Sequence, residues 1–238
     1  MPRIYLPSLG TADWRRLLAD PEKHWKRGNS ALELSVSWES ARNTPRGLPA
    51  EVAGILDSVV ALQGAELLLG VPEHQVQLEG SGHPSQNDLW ALLRTAGGIA
   101  SLAVEAKAGE PFDKIVRDWL PAPDQTSRKP LRLAALQSLL GLKSQDVSHL
   151  RYQLLHRAAS ALLEARRFHT EVAVLLVQSF NRLADEESWQ DFRRFAEVLG
   201  TEVNEGTLAM ARTETSVPLY VGWVTSKPAS DEAFAAAV

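Results

Sequence analysis

Asp88, Glu105 and Lys107 fall within a stretch of twenty residues and have the types and spacing of a small acidic metal site. Side chains two apart on a strand face the same way, so in VEAKA Glu105 and Lys107 point together while Val104 and Ala106 face the other side. A carboxylate and an ammonium on one face of an otherwise apolar strand are costly to bury unless they pair or bind something. Asp88 heads the preceding apolar segment, after the loop GSGHPSQN, with sixteen residues between it and Glu105. A hairpin or meander of that length can set the two carboxylates side by side. Two carboxylates with a lysine suit one or two hard cations, Mg²⁺ or Mn²⁺, which take oxygen ligands and leave places for water and a substrate phosphate. Such a metal lowers the pKa of a bound water and stabilises charge on phosphoryl oxygens, while the lysine orients or deprotonates the nucleophile. The competing explanation for Glu105 and Lys107 is a solvent-exposed ion pair on an edge strand, which is worth little.

The elements that must position these residues can be read from period and punctuation. The first 45 residues are expected to be helical and Trp-rich, with TADWRRLLAD opened by a Thr cap and SALELSVSWESARN capped by Asn29 or Ser30. After Pro45, Gly47 and Pro49 a longer helix is predicted from Pro49 to about Leu69, ended by Gly70 and Pro72. HQVQL from His74 alternates as a strand. DLWALLRT from Asp88 reads as a buried strand, although periodicity alone also allows a short helix, and Gly97 and Gly98 connect it to the strand IASLAVEAKA. These three form a meander, at least two of them antiparallel. PFDKIVRDWL and PLRLAALQSLLGL are predicted helices, the second stopped by Gly141, and the longest helix should run from about Val147 to Phe168. VAVLLV is a fully buried strand, SWQDFRRFAEVLG an amphipathic helix, PLYVGWV a last strand, and the tail ending AFAAAV loose. A strand, a helix and then a buried strand predict a right-handed crossover to a parallel neighbour, in a mixed α/β fold.

Asp88, a gap, and then Glu105-Ala106-Lys107 on the next strand resembles the signature of the PD-(D/E)XK phosphodiesterase superfamily, with Asn87 in place of the usual proline. The segments NDLWALLR, VEAKAGEPF and RYQLLHRAASALLEARRF are further similar to an uncharacterised bacterial branch of proteins of about this length. The resemblance implies a restriction-endonuclease-like core of helix, three-strand meander, helix and strand, with extra N-terminal and C-terminal helices. Residues 1–45 would be a helical extension packed on a core domain at 46–238, a single domain overall. It implies metal ligands Asp88, Glu105 and the carbonyl of Ala106, with Lys107 as the catalytic lysine and a Mg²⁺- or Mn²⁺-dependent nuclease activity. Many members add a Glu from the first helix, for which Glu51 and Glu66 both qualify. Some branches carry Gln and Tyr four apart on the helix after the motif. Here Gln153 lies on that helix, Arg157 takes the fourth place and Tyr152 is adjacent.

Bulk properties bound the alternatives. A chain of 238 residues is one elaborated domain. The absence of cysteine removes disulfides, thiolate catalysis and Cys-based zinc sites. MPRIYLPSLG has no export signal and no apolar run spans a bilayer, so a soluble cytoplasmic protein is expected. A net charge of −4 argues against coating nucleic acid by bulk electrostatics. A local basic helix face, with Arg151, His156, Arg157, Arg166, Arg167 and His169, could meet DNA or RNA, although such stretches are more often solvated. His83 is a possible phosphate contact, set against an ordinary solvated loop histidine. Ser85 lacks a nucleophile elbow or a His-Asp partner in the sequence, which disfavours a serine hydrolase. The seven tryptophans are dispersed and read as packing anchors. Two functions remain: a metal-dependent nuclease, or a nuclease-like module that binds or assembles without catalysis. Nucleases of the implied fold often dimerise, so the resemblance allows a homodimer, while the sequence itself does not give the oligomeric state.

Overall fold

A computed structural model describes residues 8–80, 82–120 and 127–237. Among the described residues, nine α-helices accompany one open six-stranded sheet in a mixed α/β fold. The strands are β1 (Glu66–Val76), β2 (Ser85–Thr95), β3 (Gly98–Lys107), β4 (Val172–Ser179), β5 (Leu208–Met210) and β6 (Leu219–Thr225), in the spatial order β1-β2-β3-β4-β6-β5. The expected meander is present: β1 and β2, then β2 and β3, pair antiparallel, while β3 and β4 pair parallel across an intervening helix. The short edge strand β5 carries no signal of its own in the sequence.

The helices are α1 (Thr11–Arg15), α2 (Pro21–His24), α3 (Ser30–Ala41), α4 (Ala50–Leu56), α5 (Val116–Trp119), α6 (Lys129–Leu140), α7 (Tyr152–Phe168), α8 (Glu186–Val198) and α9 (Asp231–Ala237). The two faces of the sheet alternate strictly along β3. Ala103 joins the side chains of α6, α7 and α8 in one core, and Val104 and Ala106 join those of α3 and α4 in the other. All eight residues of β4 are buried, as a strand covered on both faces must be. No helix among the described residues is long and apolar enough to cross a membrane.

Several sequence expectations are corrected. The helix expected from Pro49 to Leu69 ends at Leu56, where Ser58 Oγ turns back onto the Ile55 carbonyl and the Asp57 carboxylate takes the Gly64 N–H. Such side-chain bonds offer the backbone an alternative to the helix. Glu66 to Leu69 therefore belong to β1, whose Pro72 is tolerated because β1 is an edge strand. The long helix starts at Tyr152 and not near Val147, because Ile115 and Arg151 form an antiparallel bridge and Tyr152 N–H donates to the Lys114 carbonyl. The same bridge shortens the helix predicted over PFDKIVRDWL to α5. The tail expected to be loose forms α9, and Ala229 N–H, just before it, is held by the buried Glu33 carboxylate.

Candidate functional site

Register brings three carboxylates into one row. Pro72 pairs with Leu89 and His74 with Asn87, so Glu73 stands across from Asp88; Leu89 pairs with Val104, so the same register carries Asp88 across from Glu105. At this point β2 parts from β3, and Asp88 Oδ2 accepts the Ala106 N–H at 2.7 Å in place of a ladder bond. The N–H and C=O of one extended residue point to the same neighbour, so the Ala106 carbonyl also faces the gap beside Asp88.

Helix α7 lies over this row. Glu105 is buried, and its two oxygens accept three hydrogen bonds: Oε1 from Lys107 Nζ at 2.8 Å and Gln153 Nε2 at 2.7 Å, and Oε2 from Arg157 Nε at 2.6 Å. Gln153 and Arg157 are four apart and so share a helix face. Arg157 Nη2 stands 3.8 Å from Asp88 Oδ1, an ion pair without a hydrogen bond, and Nη1 donates to Ser85 Oγ at 3.2 Å. Lys107 also sits over the Phe112 ring at 4.6 Å.

The charges do not balance. Glu73, Asp88 and Glu105 supply three carboxylates against two cations, Lys107 and Arg157, so the fully ionised group carries 2 − 3 = −1. Burial would raise the Glu105 pKa, but the Lys107 and Arg157 charges and hydrogen bonds outweigh it and hold Glu105 below its usual value. Asp88 is driven well above the ordinary range, by burial first and then by the Glu105 charge. Glu73 is pushed up to about 7 by burial, against the hydrogen bond that Gln86 Nε2 donates to it. Burial disfavours charge on Lys107, yet Glu105 and Asp88 keep its pKa raised.

Glu73 was missed in the sequence for a physical reason. Its φ of 51° is left-handed, unusual for a residue other than glycine, and it interrupts the strand alternation. Both Glu73 and His74 thereby reach partners, Gln86 and the Glu164 carboxylate of α7 respectively. No local pattern in the sequence pairs Ser85 with His156. Ser85 Oγ lies 2.8 Å from His156 Nδ1 across 71 residues of chain.

The remaining candidates disperse. Glu66 is not on a helix; it opens β1 opposite Arg94, with which it pairs, six residues along β2 from Asp88 and so roughly 20 Å away. Glu51 lies in the first turn of α4, which packs on the opposite face of the sheet from α7. His83 is exposed beside the cleft described below, and its carbonyl accepts from Arg132 Nη2. The expected basic face of the long helix does not exist as one face. Arg157 is buried on Glu105, Arg151 bonds Asp191 and Glu187, and Arg167 bonds Glu164, leaving Arg166 and His169 exposed at the far end. Glu105 and Lys107 are buried on an interior strand, which removes the exposed edge-pair explanation.

The donor set is not saturated. A carboxylate offers about four lone-pair sites. Glu105 uses three of these and Asp88 uses one, so both keep acceptor capacity next to the Ala106 carbonyl. Among the described residues no three acidic or histidine side chains close around one point as a complete protein cage would.

A family model described as a domain of unknown function (DUF6946) matches residues 7–228. The chain belongs to this family. No curated protein and no solved structure matches it. In this DUF6946 member the matched region includes the whole sheet, α7 and every residue of the charged row.

Proposed function

We propose that this protein is a divalent-metal-dependent phosphodiesterase acting on nucleic acid, with a PD-(D/E)XK-like core formed by α4, the β1-β2-β3 meander, α7 and β4. The observation that carries the reading is the position of Asp88, opposite Glu105 where β2 and β3 separate, with Lys107 on the same face as Glu105. Asp88, Glu105 and the Ala106 carbonyl would hold Mg²⁺ or Mn²⁺. The bound ion would supply Lewis-acid stabilisation and a water of lowered pKa. Lys107, hydrogen-bonded to Glu105, would orient the nucleophile and offset the developing charge, while Gln153 and Arg157 hold the Glu105 carboxylate from α7.

Asp88→Asn tests this directly. Asp88 is partly exposed, at 23% side-chain exposure, and its raised pKa favours the neutral form. Asparagine should therefore fold at least as well as the native residue. Calorimetric titration with Mn²⁺ should show binding to the native protein and at least tenfold weaker binding to Asp88→Asn, with Mg²⁺-dependent oligonucleotide cleavage lost. Cleavage that survives both Asp88→Asn and Lys107→Met would refute the reading.

The engagement of Glu105 by three donors favours a second reading, a non-catalytic binding or assembly module whose cluster is largely compensated by its own side chains. It predicts no Mn²⁺ heat at millimolar concentration in the native protein.

A further inference from the structure

Beside the charged row lies a cleft of about 540 Å³, between the His83 loop, α5, the start of α6 and the start of α7. Among the described residues three cations line it, Arg128, Lys129 and Arg132, against one carboxylate, Asp113, an excess of 3 − 1 = +2 in a chain of net charge −4. Local charge opposite to that of the whole chain concentrates anions at that place.

The cleft is built around its cations. Arg132 is buried, donates to the His83 carbonyl and shares the cleft wall with Tyr152. The loop wraps it so closely that a Cβ on Gly80 would stand 2.7 Å from the Arg132 backbone, and one on Gly82 2.7 Å from Arg132 Nη1. Both glycines also have positive φ, 88° and 98°, so the glycine-rich loop of the sequence is what allows the guanidinium to be held here. The aromatic wall is already used. Trp119 stacks on Tyr152 at 3.8 Å with an interplanar angle of 10°, and Lys129 Nζ lies over the Trp119 ring at 5.0 Å. Neither partner leaves that ring as a platform for a base, so the cleft offers charge and hydrogen bonds more than stacking.

Its floor is shared with the charged row. Ser85 lines the cleft and takes a hydrogen bond from Arg157, the residue that holds Glu105. His156, also in the lining, is held neutral by burial and by the Arg157 and Arg132 charges. Arg157 Nη1 can only donate to His156 Nδ1, at 3.4 Å, which leaves the imidazole proton on Nε2 as a further donor. Ser85 is three strand residues from Asp88, about 10 Å, so one extended strand can touch both places.

We propose that this cleft binds a backbone phosphate of a nucleic-acid strand, next to the phosphodiester presented to Asp88 and Glu105, and that it reads charge and not base identity. The choice of a nucleic-acid strand rests on the phosphodiesterase reading; the anion preference rests on the cleft itself.

The test measures fluorescence anisotropy of a labelled single-stranded oligonucleotide in EDTA, where no metal-dependent cleavage intervenes. Arg128 and Lys129 are exposed, so Arg128→Gln/Lys129→Gln should keep the native melting profile. It should bind at least tenfold more weakly, with the slope of log affinity against log salt reduced by about 1.4, two charges at roughly 0.7 each for a single strand. Arg166→Gln/Arg193→Gln removes the same charge from exposed sites outside the cleft and should leave binding within twofold. Equal weakening by both pairs, unchanged binding in the cleft pair, or no binding by the native protein at low salt would each overturn the proposal. Displacement of the oligonucleotide by micromolar inorganic phosphate would also overturn it, since a small anion would then be the ligand. Native-like binding through the cleft without cleavage in Mg²⁺ or Mn²⁺ would defeat the enzyme reading and leave the cleft assignment standing.

Discussion

Helix α7 carries two buried charged groups, one toward each end. Near its N-terminus Gln153 and Arg157 meet Glu105, both of whose oxygens are hydrogen-bonded, among three carboxylates and two cations. Near its C-terminus Glu164 is fully buried with Oε2 on His74 and Arg167, while Oε1 has no hydrogen-bond partner among the described residues. In the second group Glu164 and His74 are shut in by packing, with Trp90 stacked on Phe168 at 4.8 Å and 5.1 Å from His74, and the Arg167 side chain alone of the three reaches solvent. The first opens, through Ser85, onto a basic cleft. An imbalance of charge in a sealed place is a local cost. The same imbalance beside an opening can be relieved by a ligand, which is why perturbed carboxylates in a cleft point to function where a buried ion pair alone does not.

Four substitutions probe that contrast, beginning with the most damaging. Glu105→Ala leaves Lys107 and Arg157 buried without their carboxylate and should cost about 3–5 kcal/mol in urea unfolding. Glu105 is thus a poor choice for testing catalysis alone, because activity lost with it is confounded with lost stability.

Glu73→Gln should act in the opposite direction. The free carboxyl value is 4.5 and the folded one about 7, so this group's contribution is fully present below pH 4.5 and is lost as pH rises through 7. Glutamine escapes that loss. At pH 8 the variant should be more stable by on the order of 2 kcal/mol, raising the melting temperature by roughly 4–8 °C, with the gain gone at pH 4.5. A difference independent of pH between 5 and 8 would remove Glu73 from the row.

Glu164→Ala should cost only about 1–2 kcal/mol, since Arg167 is 24% exposed and can turn to solvent, and an unsatisfied buried oxygen is removed. A loss larger than that of Glu105→Ala would reverse the comparison. Asp88→Asn should not destabilise the fold at neutral pH, because the raised native pKa already disfavours the ionised carboxylate that asparagine replaces. Chemical denaturation at constant pH measures all four on one scale.

Much of the frame was legible from residue types alone. The period-2 pattern of IASLAVEAKA determined that Glu105 and Lys107 share a face, because strand side chains alternate whatever surrounds them. The uninterrupted VAVLLV run determined a strand covered on both sides, and Gly141 with its left-handed backbone ends α6 where the sequence placed the stop. What faces Glu105 was decided by tertiary structure: Gln153 and Arg157 lie 48 and 52 residues away and reach it only because α7 crosses the meander. Glu73 entered the row through a left-handed residue that no periodicity marks, and Glu66 left it when side-chain bonds at Ser58 and Asp57 ended the preceding helix. Alternation along a strand is a local property of the backbone. The partners across it depend on register, on where helices stop and on how loops close, and those are settled only when the whole sheet has packed.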